Sequence, residues 1–201
     1  MLNLIRRDLI LQKKQLYIFI PYVLVFVYMG FPAFLTCLIA SIFIPFNAFT
    51  YDEKAETNIL LNSLPYTRGE IIAAKYIGAI VYMLLSIALS SVMMLVFGKS
   101  FVWTDLAIAS GLFMLMAAFT FPLFQILKPG YIGLTIVIGF VSTVLLSRFV
   151  FESYSENVKA VLSFFDRYPF STLFTVSTII VLCLYALSWI LSTTIYRRKA
   201  F

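Results

Sequence analysis

The sequence predicts an all-α membrane protein: a polytopic bundle of six transmembrane helices. Two features of its composition say so. Of 201 residues, 62% are hydrophobic and only 12% are charged, about half the charged share of an ordinary soluble domain. The apolar residues also fall in runs near the roughly 20 residues that one membrane-crossing helix needs, and six such runs with short connections fill the chain. A single transmembrane domain, 1–201, is expected, with no separate soluble domain.

The first element, 1–15, interleaves Leu2, Ile5 and Leu9 with Arg6, Arg7, Lys13 and Lys14. That is the pattern of a basic amphipathic helix lying on an anionic membrane surface. It has the basic-then-apolar order of a signal peptide but no small-residue cleavage site, so it is read as retained. Residues 16–50 are uncharged and too long for one span. Gly30-Phe31-Pro32 divides them into a hairpin of spans one and two.

The longest polar break follows, a cytoplasmic loop over 51–69 with a short helix expected from Asp52 to Leu64, ended by Pro65. Thr67-Arg68-Gly69-Glu70 reads as a capping box that starts span three: the Thr67 hydroxyl takes an orphan N–H and Glu70 reaches back to the Thr67 amide. Residues 70–147 hold spans three (Glu70 to Phe97), four (Asp105 to Leu127) and five (Tyr131 to Ser147). Gly98 to Thr104 and Lys128-Pro129-Gly130 are the turns between them. Within 148–169, Phe151, Tyr154, Val158, Val161, Leu162 and Phe165 recur near helical spacing among charges, predicting short external helices at the outer interface. Span six, 170–196, ends in a basic tail, 197–201.

Orientation follows from the basic residues, which collect in cytoplasmic segments. By this map eleven lie inside (Arg6, Arg7, Lys13, Lys14, Lys54, Arg68, Lys75, Lys128, Arg197, Arg198, Lys199) and four outside (Lys99, Arg148, Lys159, Arg167). The acidic residues divide five against four, so the asymmetry is one of Lys and Arg. Both termini are therefore expected in the cytoplasm, and the net charge of +6 is a topology signal rather than a nucleic-acid patch.

The spans lack the groups that membrane chemistry uses. A charge at mid-membrane costs about 2.5–3.5 kcal/mol on insertion scales and commonly marks an ion or proton path, yet Lys75, Asp105 and Arg148 stand at span ends. There is no His, hence no common metal ligand or proton shuttle. No base stands beside a nucleophile, which disfavours an intramembrane hydrolase, and ion-coupled transport lacks its usual mid-depth group. Gly98-Lys99-Ser100 has the tail of a phosphate-binding loop, but the first glycine of that motif is replaced by Met93. Cys37 and Cys183 are read as reduced, small hydrophobic residues. No catalytic, metal or cofactor-binding residue is expected in the chain.

Leu60 and Leu61 are adjacent leucines in a charged loop and need burial: in a partner, on the chain's own helices, or in the lipid headgroups. The run Tyr51-Asp52-Glu53-Lys54, then Leu60-Leu61-Asn62-Ser63-Leu64-Pro65-Tyr66-Thr67-Arg68-Gly69-Glu70-Ile71 and Ala74-Lys75-Tyr76, resembles the loop between spans two and three of bacterial type-2 ATP-binding-cassette exporter permeases. The subgroup is that of the staphylococcal phenol-soluble modulin exporter. The resemblance implies a coupling helix that docks in a separate cytosolic ATP-binding-cassette ATPase, with polar contacts from Asp52, Glu53, Lys54 and Glu56 and apolar anchors from Ile59, Leu60 and Leu61. It implies that ATP and Mg are held by that partner and not by this chain. It also implies export across a bacterial plasma membrane.

The expected function is the permease subunit of an ATP-driven exporter. The aromatic content of 17% suits a hydrophobic or amphipathic cargo such as a membrane-active peptide. A second copy, or a related permease, would complete the pathway. Membrane lipid is the other expected partner, and nucleic acid is not one. The alternatives are a passive channel or facilitator, and a membrane immunity or assembly protein without ATP coupling.

Overall fold

The computed structural model describes residues 7, 17–54, 66–126 and 169–198; for residues 44 and 46–54 it describes the backbone only. These residues form helices and turns, with no strand among them. The helices are α1 (Tyr17–Tyr28), α2 (Ala33–Lys54), α3 (Arg68–Val96), α4 (Trp103–Ile126) and α5 (Phe170–Arg198); Arg7 also has helical backbone. At 1.5 Å per residue, the 29 residues of α3 and of α5 extend about 43 Å, more than the roughly 30 Å hydrocarbon core. By length and composition α3, α4 and α5 can cross a membrane. In α1 and α2 the described apolar stretches, Tyr17–Tyr28 and Ala33–Phe43, are shorter.

The segments expected as spans three, four and six coincide with α3, α4 and α5. Helix α2 differs at its end: it runs through Tyr51 to Lys54 without a break at residue 50, because nothing between Asn47 and Lys54 is a helix breaker. Span five, most of the 148–169 insertion, and the N-terminal helix apart from Arg7 lie outside the described residues.

Two glycines end helices by the same device. Gly30 (φ 75°) and Gly98 (φ 64°) adopt the left-handed conformation that favours a residue without Cβ. At the end of α1 the Phe31 N–H reaches the Phe26 carbonyl and the Gly30 N–H that of Val27. At the end of α3 the Lys99 N–H reaches Met94 and the Gly98 N–H reaches Leu95. Both are Schellman closures, which satisfy carbonyls that would otherwise be orphaned. The first also carries the apolar contact of that motif, with the Phe26 and Phe31 rings 5.4 Å apart and edge to face. Thus Gly98-Lys99-Ser100 is a helix stop.

Helix α2 packs on α3 and α4, α5 packs on α4 and α3, and α3 and α4 barely touch, so these four make a closed ring. Its interior is aromatic and aliphatic: Ile72, Tyr76 and Met83 from α3, Phe113, Ala117 and Phe121 from α4, and Tyr185 and Tyr196 from α5. A second cluster seats α1 on the ring, with Phe19, Val23 and Val27 against Cys37, Ala40, Tyr82, Met94 and Ala109. Within it Phe43 lies 5.9 Å from Phe19 and 4.9 Å from Tyr22, centroid to centroid.

The connections and contacts define two ends. The turn at Gly30 and the turn at Gly98 share one, where the Lys99 Nζ would stand 4.0 Å from a Cβ on Gly30. The other collects the end of α2, the start of α3 and the end of α5, joined by a hydrogen bond from the Arg68 guanidinium to the Arg197 carbonyl at 2.7 Å. Lys54, Arg68, Lys75, Arg197 and Arg198 lie toward that end, and Lys99 lies at the opposite one. These basic residues thus gather, Lys99 apart, at one end, which also holds Asp52, Glu53 and Glu70.

Candidate functional site

The basic end, where α2 ends and α3 begins, is built from local rules. Thr67 stands in extended backbone before α3 (φ −73°, ψ 149°) and makes a capping box. Its amide and its hydroxyl each donate to Glu70 Oε2 at 2.9 Å, and the Glu70 amide donates back to the Thr67 hydroxyl oxygen at 3.3 Å. Glu70 lies in the first turn, outside the apolar part of α3. The Thr67 amide, and then the Thr67 hydroxyl, hold its carboxyl below the ordinary glutamate range. Asp52, Glu53 and Lys54 occupy the last turn of α2, while Glu56, Ile59, Leu60 and Leu61 lie outside the described residues. The chain that joins them, residues 55–65, connects the last turn of α2 to the Thr67 cap.

Two turns inward from this cap, α3 is clasped to α5. The Tyr76 hydroxyl sits 2.7 Å from the Ser188 hydroxyl and 2.8 Å from that of Ser192. In return the Tyr185 hydroxyl donates to the Tyr76 carbonyl at 2.9 Å. All four side chains are buried. The Tyr76 ring stacks on Trp189 at 5.8 Å and meets Phe121 and Tyr185 edge to face at 5.1 Å each. Polar groups without water are satisfied here by one another, which fixes the two helices in a single register.

The sequence holds a signal for this clasp that the reading above did not use. The residues of α5 that face inward are Tyr185, Ser188, Ser192 and Tyr196, a hydroxyl-bearing stripe at spacings of three and four, whereas exposed hydroxyls such as those of Thr175, Thr178 and Thr194 turn back to carbonyls of their own helix. An outward polar stripe would meet lipid; an inward one needs a partner, and Tyr76 supplies it.

The α2–α3 seam is built differently. Cys37, Ala40 and Ser41 of α2 and Ser86 and Ser90 of α3 are all buried. The Ser41 hydroxyl turns back to the Cys37 carbonyl at 2.7 Å and that of Ser90 to the Ser86 carbonyl at 2.8 Å, so each is satisfied within its own helix. The one polar contact of this group that crosses the seam is a long one, Ser90 hydroxyl to Cys37 Sγ at 3.5 Å. The Ser86 hydroxyl is fully buried with no partner. Cys37 is thus the small core residue its sequence context suggests, whereas Cys183 is exposed on the outer face of α5.

Among the described residues no three His, Cys, Asp or Glu side chains gather to hold a metal. Asp105 is committed to the start of α4, where its carboxylate accepts the Val102 N–H at 3.1 Å. Lys75 lies in the third turn of α3, close enough to the basic end for its long stem to carry the ammonium outward.

Comparison with known families then gives a match over nearly the whole chain: a model described as ABC-2 family transporter protein covers residues 3–197. No curated protein and no solved structure matches the chain.

Proposed function

The chain belongs to the ABC-2 transporter family, whose members are membrane subunits of transporters, and from that premise we propose that it is the permease subunit of an ATP-driven exporter powered by a separate cytosolic ATPase. The observation that carries this reading is the family match over residues 3–197. It is supported by a membrane bundle whose described apolar interiors offer no mid-depth charge with which to harvest an ion gradient. Energy must then enter at an end, and the basic end has the parts to receive it.

In this reading the chain spans a bacterial plasma membrane six times, with both termini and the basic end in the cytoplasm, as the asymmetry of Lys and Arg requires. Asp52, Glu53, Lys54 and Glu56 make polar contacts with the ATPase, and Ile59, Leu60 and Leu61 fill an apolar groove on it. ATP and Mg bind to that partner. Closure of two ATPase subunits displaces the 51–69 segments of two permease copies; ATP has differential affinity for the closed state, which is what a ligand-driven switch needs. The clasped α3–α5 pair moves as one lever. The cargo is hydrophobic or amphipathic, of the kind a membrane-active peptide represents.

Reconstitution tests the energetic claim. Liposomes holding this chain together with its ATPase should move a fluorescent amphipathic peptide only when ATP and Mg are supplied. Equal movement by the chain alone would make it a passive facilitator instead.

A further inference from the structure

We infer that the C-terminal turns of α5 form a binding site for an anionic phospholipid whose headgroup carries free hydroxyls, of the phosphatidylglycerol type. A groove of about 470 Å³ opens there, lined among the described residues by Ala186, Trp189, Ile190, Thr193, Thr194 and Arg197. Its volume lies in the range of ligand-binding clefts, and its chemistry is layered along the helix axis. Ala186, Trp189 and Ile190 make an apolar wall on the side of the membrane interior. Thr193 and Thr194 come next, and Arg197 stands outermost, one residue from the end of α5.

That order matches a lipid entering from the side. An α5 of about 43 Å crossing a hydrocarbon core of roughly 30 Å places the two threonines near the core boundary and Arg197 among the headgroups. Trp189, at the apolar edge, is the residue type that settles at such a boundary.

The polar groups select the headgroup. The Arg197 carbonyl accepts from Arg68 at 2.7 Å, which anchors the backbone there. The Arg197 Nη2 rests beside Gly69, 3.6 Å from where a Cβ would stand, so glycine leaves it room. The guanidinium presents a planar fork to a phosphate. Arg198 is adjacent, no acidic side chain is among the described residues that line the groove, and the Glu70 carboxylate is engaged by Thr67.

The Thr193 and Thr194 hydroxyls donate to the Trp189 and Ile190 carbonyls, each at 2.9 Å. Their protons are therefore spent inward, and what they offer the groove is lone pairs. A ligand that satisfies the site brings a phosphate for the arginine and O–H donors for the threonines, which a glycerol headgroup does. Choline has no such donor, and phosphatidic acid has the phosphate without a glycerol headgroup.

The inference requires α5 to lie in a membrane but not that the chain be an exporter, and its test involves no ATPase. The purified, delipidated chain in detergent is mixed with phosphatidylglycerol, phosphatidic acid and phosphatidylcholine of equal acyl length, and bound lipid is counted by native mass spectrometry. Phosphatidylglycerol should be retained about tenfold over phosphatidylcholine, whose phosphate carries a cationic choline without O–H donors in place of the glycerol. Arg197→Gln, which keeps the carbonyl that Arg68 uses, should abolish that preference with an unchanged melting temperature. Paired Thr193→Val and Thr194→Val should lower phosphatidylglycerol to the level of phosphatidic acid, and millimolar inorganic phosphate should not displace the lipid. Equal retention of phosphatidylglycerol and phosphatidylcholine, or full retention by Arg197→Gln, overturns the site. Equal retention of phosphatidylglycerol and phosphatidic acid by the native chain overturns recognition of the hydroxyls, and displacement by phosphate shows a free-anion site in place of a lipid one.

Discussion

Changing Tyr76 to Phe removes one oxygen from the middle of the α3–α5 clasp and leaves the ring where it is. The ring contacts with Trp189, Phe121 and Tyr185, at 5.8, 5.1 and 5.1 Å, survive the substitution, so apolar burial is nearly constant. What is lost is the pair of hydrogen bonds to Ser188 and Ser192 at 2.7 and 2.8 Å. Interhelical hydrogen bonds within membranes average about 0.6 kcal/mol and reach about 1.7. The two serines can turn back to carbonyls of their own helix, which limits the penalty of leaving them unpaired. The expected loss is therefore about 1–2 kcal/mol, a five- to thirtyfold change in the folding equilibrium. Reversible unfolding in mixed micelles reads it directly, and a double-mutant cycle with Ser192→Ala isolates the shared part. A loss below about 0.3 kcal/mol, or a cycle with no coupling, would refute the claim that this network fixes the two helices.

Three further outcomes follow from particular atoms. Ser86→Ala should leave stability unchanged or raise it by up to about 1 kcal/mol, because the hydroxyl it deletes is buried without a partner; a clear destabilisation in the same micelle titration would mean that the oxygen is used. Gly98→Ala should cost about 1 kcal/mol by forcing a Cβ into left-handed backbone (φ 64°), whereas Gly111→Ala, inside α4 with nothing within 4 Å of the new Cβ, should be neutral or stabilising; equal effects would contradict the turn geometry. The Glu70 carboxyl should titrate below the roughly 4.3 of a free glutamate, since its folded value is lowered. Stability from the cap is then fully present above the ordinary glutamate value and is lost as pH falls through the lowered one. An ordinary titration of Glu70 by carboxyl-detected NMR would count against the capping box.

How much of this was legible in the sequence depended on whether local chemistry decided it. Gly30 and Gly98, each closing an apolar run, mark the two turns because only a residue free to take positive φ ends a helix that way at low cost. Thr67 and Glu70 mark the start of α3 by their spacing alone. The end of α2 was less legible: Tyr51-Asp52-Glu53-Lys54 is polar and reads as loop, yet polarity outside a membrane does not stop a helix, and the backbone continues to Lys54.

The clasp went unread for another reason. Tyr76, Tyr185, Ser188 and Ser192 are ordinary residues of apolar helices, and their meaning lies in a pairing across more than 100 positions of sequence. Cys37 and Cys183 read alike, as small hydrophobic residues within apolar runs, yet Cys37 is buried and Cys183 is exposed; which face of its helix each occupies is not carried by an apolar run alone.

The central claim, that energy enters this bundle from a separate ATPase through the segment between α2 and α3, is tested most directly by co-purifying a candidate cytosolic ATPase with the native chain and with Leu60→Asp/Leu61→Asp. The account predicts a stable complex with the native chain, and loss of binding and of coupled ATPase activity in the double variant, with the unfolding midpoint of the native bundle retained. If the native chain binds no such ATPase, or the variant binds it equally well, the coupling role of this segment is contradicted.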